Sequence, residues 1–286
     1  IEIEFKDGKK RAAKIIGTDP KTDLALLKVE AKQDLPFVKF GPSTRVRVGE
    51  WVVTMGNPFG LSQTATTGII SARHRNIGAG PFDDFLQIDA AINQGNSGGP
   101  TFNLKGEVIG VNTAIFSPSG GNVGIGFAIP SAIAEKIVDE LRTEGHVKRG
   151  WLGVQIQSVT DELAVGLNLD QAKGALVSHV GDNSPADRAG IERGDVVLSV
   201  GGQEVPSLRK LPALVADLKP GTKTTLKVWR DGSEMVLSVV IGEGAKAPQS
   251  VAAIDQKTAV AGLVLSSINP RSRKAFGLDA NQSGVV

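Results

Sequence analysis

Short apolar runs separated by turn residues constrain the fold of this chain more than any other feature. Val, Ile and Leu cluster in brief segments with glycine-containing turns between them, at 1–5, 11–17, 23–29, 51–55, 108–111 and 124–129. Asp7-Gly8, between the first two segments, is a hairpin signal. Regularly spaced short strands of this kind are typical of a barrel or sandwich. We therefore predict a β-domain in this part of the chain.

A helix is predicted to end the first domain. Apolar residues recur there on one helical face, namely Ile133, Ile137, Val138 and Leu141. Ser131 is the predicted N-cap and Gly145 the predicted C-cap. The stretch Ala72–Asn76, which contains His74, has the composition of a loop.

A second unit, of α+β type, is predicted over residues 150–242. Its strand-like runs lie at 151–156, 175–180, 195–200, 224–229 and 235–241, with helical spacing over 208–218. We predict four segments: a first domain at 1–146, a second at 150–242, a linker at 243–260 and the truncated start of a repeat of the second domain at 261–286. The repeat is inferred because 261–286 follows the order of features in 151–177.

Composition narrows the classes of function. The net charge is only +2, and no run of Lys and Arg reaches five residues, so a nucleic-acid surface or a basic membrane-binding surface has little support. The chain has no cysteine and three scattered histidines, so we expect no disulfide, no metal site and no cofactor. No apolar stretch is long enough to span a bilayer.

The strongest chemical motif is Gly95-Asn96-Ser97-Gly98-Gly99-Pro100. A nucleophilic serine needs a sharp turn that exposes its hydroxyl, and glycines on both sides allow the backbone N–H groups to face a developing oxyanion. A simple Gly/Asn/Ser turn between strands is the alternative interpretation. The sequence context favours the nucleophile.

Several stretches in order make this chain resemble the HtrA (Deg) family of trypsin-like serine proteases with PDZ domains. The matching stretches are 22–27 (TDLALL), 56–60 (GNPFG), 67–71 (TGIIS), 87–100 and 123–130 (VGIGFAIP). The resemblance implies a mainly β fold: a trypsin-like double β-barrel, whose N-terminal barrel is incomplete here, followed by an α+β PDZ domain. It also implies that Ser97 is the nucleophile and that Asp23 orients the catalytic imidazole. Without that context, Asp23 reads as a turn residue before a strand.

The catalytic histidine of this resemblance is not in the sequence. In the trypsin order the histidine precedes the aspartate, and no histidine precedes Asp23. Ile1–Phe5 already alternates like a strand, so we expect the chain to be cut there. The histidine of the family would lie shortly before Ile1, in a segment that is either deleted or not included in the printed sequence. His74 stays a minor candidate for the base, and a solvated histidine is the favoured interpretation. We therefore expect the stretch printed here to be inactive on its own.

Further site residues follow from the resemblance. The oxyanion donors would be the N–H groups of Gly95, Asn96 and Ser97, and the S1 pocket would be lined by Ile92, Ile115 and Phe116. An apolar pocket without an acid favours small aliphatic P1 residues. Each of those three residues could equally be a core residue. The loop 73–84 resembles the regulatory loop of the family, with Arg75 as its expected contact residue.

The second unit would bind peptides as PDZ domains do. A loop of successive N–H groups holds a C-terminal carboxylate while the peptide adds a strand. The residues expected there are Arg149, Trp151, Leu152, Gly153, Val154, Leu211, Leu214 and Val215. The alternative interpretation is that they form only the core of the module.

Two functions remain in competition. The first is an ATP-independent endopeptidase of the periplasm that degrades unfolded or misfolded proteins, tethers their C-termini and assembles as a homotrimer or larger cage. The second is a peptide-binding chaperone, or holdase, that does not cut. From the low net charge we expect no nucleic-acid partner, and association with a membrane surface is unsupported.

Overall fold

Strands make up most of the regular structure, which confirms the mainly β prediction. The computed structural model describes residues 1–5, 7–61, 63–80, 82–118 and 120–244, and the backbone of 258–260 and 263–265. Residues 1–244 form one compact unit and residues 245–286 a second.

A three-stranded antiparallel sheet begins the chain. Its strands, in the order β1-β2-β3, are β1 (Glu2–Glu4), β2 (Lys10–Asp19) and β3 (Leu24–Val29). The hairpin between β2 and β3 closes at the pair Asp19 and Leu24. Its last loop residue, Asp23, has a left-handed φ of 57°. This conformation is uncommon for residues other than glycine, although Asp and Asn are enriched in it.

A closed six-stranded barrel follows. Its strands are β4 (Trp51–Gly56), β5 (Thr64–Arg75), β6 (Phe85–Ile88), β7 (Pro100–Phe102), β8 (Val108–Ile115) and β9 (Gly126–Pro130), in the order β4-β5-β6-β9-β8-β7. Short 3₁₀ turns lie at Ser43–Arg45 and Pro58–Gly60. Inward side chains such as Ile70, Ile88 and Ile109 are fully buried. The prediction of a loop at 72–76 is wrong, because β5 continues to Arg75 and pairs with β6.

Helix α1 (Ser131–Glu144) packs across both sheets of the first domain. The prediction that Ser131 caps this helix is wrong. Pro130 occupies the N-cap position, and the Ser131 hydroxyl donates to the carbonyl of Gly41 at 2.6 Å. The predicted C-cap is confirmed, since Gly145 has a φ of 73° and its N–H donates to Leu141.

The second domain is built on a six-stranded antiparallel sheet and a separate two-stranded pair, with helices. Its strands are β10 (Gly150–Trp151), β11 (Val154–Ser158), β12 (Ala175–Val180), β13 (Val196–Val200), β14 (Gln203–Glu204), β15 (Lys223–Arg230), β16 (Ser233–Val240) and β17 (Gly242–Glu243). Its helices are α2 (Asp161–Gly166), α3 (Pro185–Arg188) and α4 (Lys210–Asp217). The main sheet runs β11-β12-β13-β15-β16, β14 pairs with β13, and β10 pairs with β17. The prediction of one strand over 151–156 is wrong, because Gly153, with a φ of 85°, separates β10 from β11.

Past residue 244 the structure describes one antiparallel pair, β18 (Thr258–Val260) with β19 (Leu263–Leu265). The predicted linker at 243–260 and the predicted repeat at 261–286 otherwise lie outside the described residues. Across the described residues, every helix is too short or too polar to span a bilayer.

Candidate active site

Ser97 lies exposed on a tight loop that leads into β7. Two hydrogen bonds fix the chain after it: the N–H of Gly98 donates to the carbonyl of Asn112 at 2.8 Å, and that of Gly99 to Asn96 at 2.9 Å. A Cβ at position 99 would lie 2.1 Å from the carbonyl oxygen of Met55. Glycine is therefore required for the loop to pass this close to β4 with the serine hydroxyl outward.

The loop of Gly56–Gly60 supports the turn that carries Ser97 from the other side. The N–H groups of Asn57 and Phe59 donate to the carbonyls of Gly95 and Gln94, at 3.1 and 2.9 Å. Gly95 has a φ of 103°, and a Cβ there would lie 2.2 Å from the Asn57 oxygen. The two glycine-rich motifs of the sequence therefore form one assembly.

The N–H groups of Gly95 and Ser97 have no backbone acceptor among the described residues, whereas the N–H of Asn96 is bound to the carbonyl of Asn93 at 3.0 Å. The side chain of Asn96 is buried, and its amide nitrogen donates to Ala91. Two N–H groups are thus free to face an oxyanion. Asn96 holds the turn from inside, and its backbone N–H is already bound.

Thr113 joins Asp23 to Ser97. Its hydroxyl donates to Oδ2 of Asp23 at 2.5 Å, and its carbonyl accepts the hydroxyl of Ser97 at 3.0 Å. The structure therefore brings together residues 74 positions apart in the sequence. Sequence reasoning missed Thr113, because a threonine near the end of a strand carries no chemical signal of its own.

The three histidines lie elsewhere. His74 bonds to Asp84 at 2.9 Å, His146 contacts the carbonyl of Glu144, and His179 lies in β12 opposite Gln155. Within the described part of the chain, none of them makes a hydrogen bond to Asp23 or Ser97. His74 thus bonds to Asp84 and makes no hydrogen bond through which it could act as a general base for Ser97.

The residues expected in the S1 pocket differ in exposure. Ile92 is 1% exposed and belongs to the barrel core, Ile115 packs at the edge of that core, and Phe116 is 58% exposed. The glycine-rich loop beside them is tied down, since the side chain of Asn122 donates to the carbonyl of Ile92 at 2.9 Å. The three residues expected in the S1 pocket are therefore all apolar, and Phe116 is the one whose side chain is accessible to solvent.

The predicted peptide loop of the second domain lies between β10 and β11. The carbonyls of Leu152 and Gly153 accept from Ala186 and Gly181, both at 2.9 Å. The N–H groups of Leu152 and Gly153 have no backbone acceptor in the described ranges. A Cβ at Gly153 would lie 2.3 Å from Cβ of Ser184. The loop can thus offer N–H donors to a carboxylate.

The other predicted parts of the peptide site are the strand after this loop and the apolar residues beside it. Strand β11 is an edge of the sheet, so a peptide can pair with it. The predicted pocket residues Leu152, Leu211, Leu214 and Val215 are buried in one apolar cluster, with Val154 packed against it. Trp151 is 43% exposed. Their burial shows that they belong to the core of the module, and their role in binding a peptide stays a prediction.

Arg149 does not face the peptide loop. Its guanidinium is bound by both carboxylate oxygens of Asp19 in the first domain, with side chains only 13% and 5% exposed. Burial raises the pKa of Asp19, but hydrogen bonds from Arg149 and Thr22 outweigh it, so the pKa lies below its ordinary value. Arg149 is therefore not free to hold a peptide carboxylate.

The regulatory role expected of Arg75 stays a prediction. Arg75 donates to Gln87 within the barrel at 2.8 Å. Phe82, from the same loop, lies under the guanidinium of Arg149 at 4.8 Å from the ring centre. Phe82 and Arg149 border a cavity of about 530 Å³ between α1 and α4.

Comparison with known proteins agrees with this geometry. A family model described as a trypsin-like peptidase domain matches residues 1–111, and one described as a PDZ domain matches residues 150–241. A solved HtrA-type protease, AlgW with a decapeptide, is 43% identical, with a TM-score of 0.79 over 86% of this chain and 75% of that one. The chain belongs to the HtrA-type proteases. The predicted family and fold are thereby confirmed.

The curated relatives of this HtrA-type chain share one description among themselves. A "Probable periplasmic serine endoprotease DegP-like" of Brucella suis is 56% identical over 240 residues, which are 84% of this chain and 47% of the relative. One of Marinomonas sp. is 44% identical over 286 residues, which are 100% of this chain and 60% of the relative. A solved serine endoprotease of Yersinia pestis is 35% identical, with a TM-score of 0.66 over 85% of this chain and 79% of that one. The HtrA-type chain spans about half the length of the curated relatives it matches.

Proposed function

We propose that the protein is a serine endopeptidase that cuts unfolded or misfolded polypeptides with Ser97 as its nucleophile. The observation that carries the proposal is the path from Asp23 through Thr113 to Ser97, set beside two free N–H groups at Gly95 and Ser97. Asp23 orients a histidine contributed from outside the printed sequence. That histidine takes the Ser97 proton as Oγ attacks the peptide carbonyl and returns it to the leaving amine.

The accessible side chain of Phe116 and the apolar wall formed by Ile92 and Ile115 support a preference for small aliphatic residues before the cut. A Lys or Arg side chain would lose water in such a pocket without gaining a partner for its charge. No nucleotide is required, because peptide hydrolysis by this chemistry is downhill and the chain carries no P-loop motif.

The PDZ domain binds the C-terminal ends of substrates in this proposal. The free N–H groups of Leu152 and Gly153 receive the carboxylate, and the peptide pairs with the edge strand β11. The names of the curated relatives support a periplasmic location. Membership of the family supports a homotrimer or larger assembly.

A peptide-binding chaperone that does not cut is the second candidate. It is favoured by one observation: among the described residues, no imidazole bonds to Ser97. Both candidates use the same PDZ groove, so only turnover separates them.

Cleavage of unfolded casein by the full-length polypeptide tests the proposal, with residues 1–286 alone and a full-length Ser97→Ala variant as controls. The endopeptidase proposal expects cleavage by the full-length protein only, with casein left intact by both controls. If full-length protein leaves casein intact but prevents its aggregation, the chaperone is the better description.

A further inference from the structure

A buried pair of polar side chains lies next to the turn that carries Ser97 and has no part in the chemistry described so far. The hydroxyl of Thr101, in β7, donates to Oδ1 of Asn112, in β8, at 2.6 Å. The two residues are 0% and 1% exposed. The nitrogen of the Asn112 amide is also buried and has no hydrogen-bond partner among the described residues. A buried donor without a partner lowers stability, so an asparagine here calls for a reason other than stability.

The backbone of Asn112 holds the turn. Its carbonyl accepts the N–H of Gly98 at 2.8 Å, and its N–H donates to the carbonyl of Gly99 at 2.9 Å. The carbonyl of the next residue, Thr113, accepts the hydroxyl of Ser97. Two consecutive residues of β8 therefore contact three consecutive residues of the turn.

An irregularity in β8 coincides with these contacts. Asn112 pairs with Ala128 of β9 and Ala114 pairs with Phe127, so Thr113 is an extra residue without a partner in that ladder. A bulge of this kind bends the strand and redirects its groups. The ladder with β9 is thus interrupted where β8 meets the turn, and another directional contact has to fix the strand there.

The hydrogen bond between Thr101 and Asn112 supplies that contact. Thr101 follows the turn directly in β7, so its bond to the Asn112 side chain closes a ring that returns through the Asn112 backbone to Gly98 and Gly99. Apolar packing is not directional, whereas a hydrogen bond weakens steeply when its angle changes. A polar pair therefore fixes the orientation of β8 at this point better than two apolar side chains would.

We propose that Thr101 and Asn112 are positioning residues for Ser97: their buried hydrogen bond fixes β8 at its bulge, so that Asn112 holds Gly98 and Gly99 in the orientation that presents the serine. The proposal rests on the proposed peptidase function. It adds to that function two buried residues that act through the backbone of the turn.

The test is the full-length protein with Thr101→Val and Asn112→Leu together, which replaces both polar groups by apolar groups of similar shape. Such a replacement is nearly neutral for stability, or stabilising, because no buried polar atom is left without its partner. Ser131→Ala is the matched control. It also removes a buried hydroxyl with a 2.6 Å hydrogen bond, but the acceptor is the carbonyl of Gly41 and not a residue that contacts the turn. Thr101→Ser keeps the hydroxyl and tests for rescue.

Three quantities are measured on each protein: kcat and KM for casein, the urea midpoint of unfolding, and hydrogen exchange over residues 96–100. In the double variant we expect a midpoint at or above that of wild type, while kcat falls about tenfold or more and KM stays within about twofold. Exchange over 96–100 rises, because the N–H of Gly98 loses a fixed acceptor. Thr101→Ser keeps kcat within about threefold of wild type. Ser131→Ala lowers the midpoint and leaves kcat and this exchange unchanged.

A double variant with kcat within about twofold of wild type, or with unchanged exchange over 96–100, would overturn the proposal. So would an equal fall of kcat in Ser131→Ala, because kcat would then follow stability alone. If the double variant does not fold, Thr101→Val alone, which exchanges a hydroxyl for a methyl group, is judged by the same kcat and exchange criteria.

Exchange needs no turnover, so it separates this proposal from the peptidase proposal. If wild-type protein cuts no casein, the peptidase proposal fails. Faster exchange over 96–100 in the double variant would still show that Thr101 and Asn112 hold the turn, and unchanged exchange would refute it.

Discussion

The hydroxyl of Thr113 donates a 2.5 Å hydrogen bond to Oδ2 of Asp23. Asp23 is at the tip of a hairpin of the first sheet, and Thr113 is in β8 of the closed barrel, so this contact spans the two parts of the peptidase domain. The carbonyl of the same threonine accepts the Ser97 hydroxyl. One residue therefore contacts both Asp23 and Ser97, the proposed acid and the proposed nucleophile.

Thr113→Val should lower kcat of the full-length protein about tenfold to a hundredfold. A hydrogen bond to a charged group contributes about 1.5–3 kcal/mol, and its loss lets the Asp23 carboxylate turn away from the imidazole. Thr113→Ser keeps a hydroxyl and is the matched control. Steady-state cleavage of casein checks this, and a valine variant with kcat within twofold of wild type would contradict it.

Gly95→Ala should abolish most turnover while the fold survives. The added Cβ would lie 2.2 Å from the Asn57 carbonyl oxygen, so the turn must move and its N–H groups leave the oxyanion site. Loss of one such donor costs on the order of a hundredfold in kcat. Gly106→Ala is the control, because Gly106 has a φ of 76° with no atom within 4 Å of the new Cβ. Equal kcat values in the two variants would refute the role of this turn.

Gly153→Ala should weaken binding of a C-terminal peptide by about tenfold or more, because the new Cβ would meet Ser184 at 2.3 Å and distort the N–H loop. Gly190→Ala, with a φ of 75° and no atom within 4 Å, is the control. Fluorescence anisotropy with a labelled peptide measures both affinities. An unchanged affinity in Gly153→Ala would place the carboxylate elsewhere.

The Asp19–Arg149 pair should stabilise the fold except in acid. The folded-state pKa of Asp19 is below its ordinary value of 3.8, so its contribution is complete above that value and is lost as pH falls through the lower, folded pKa. Asp19→Asn should cost on the order of 3 kcal/mol in free energy of unfolding from about pH 5 to about pH 8, because it leaves Arg149 buried without its partner.

Urea denaturation of the wild-type and Asp19→Asn proteins at a series of pH values measures that difference. The gap should narrow only below about pH 4, where carboxylates become protonated. A gap that closes between about pH 5 and about pH 7 would show that a histidine, and not Asp19, controls it.

The sequence predicted the strands with alternating or continuous apolar runs well. Ala175–Val180 is a strand with the bounds expected, and Gly145 ends α1 as its position indicated. These features depend on local patterns. The Ser131 cap was wrong because a tertiary partner, the carbonyl of Gly41, took its hydroxyl. The prediction of one strand over 151–156 was wrong because a single glycine in an apolar run can also occur inside a strand, so the sequence did not show that Gly153 ends β10.

The residues of the candidate site also fall into those that the local sequence shows and those that only tertiary contacts show. Ser97 and its glycines are visible in the sequence because a nucleophile turn needs consecutive special residues. Thr113 and Phe82 were invisible, since each acts through contacts with residues about 70 to 90 positions away in the chain. We predicted Arg149 to lie in the peptide loop because it precedes that loop in the sequence, but its guanidinium is paired with the carboxylate of Asp19. Contacts between distant segments carry no periodicity that a sequence can display.

Labelling with a fluorophosphonate, followed by mass spectrometry of the peptides, tests the central claim most directly. The reagent reacts with a serine that is activated by a base and faces an oxyanion site. In the full-length protein we expect one modified peptide, with the label on Ser97, and a matching loss of casein cleavage. Absence of the label from Ser97 in full-length protein that cleaves casein would contradict the account.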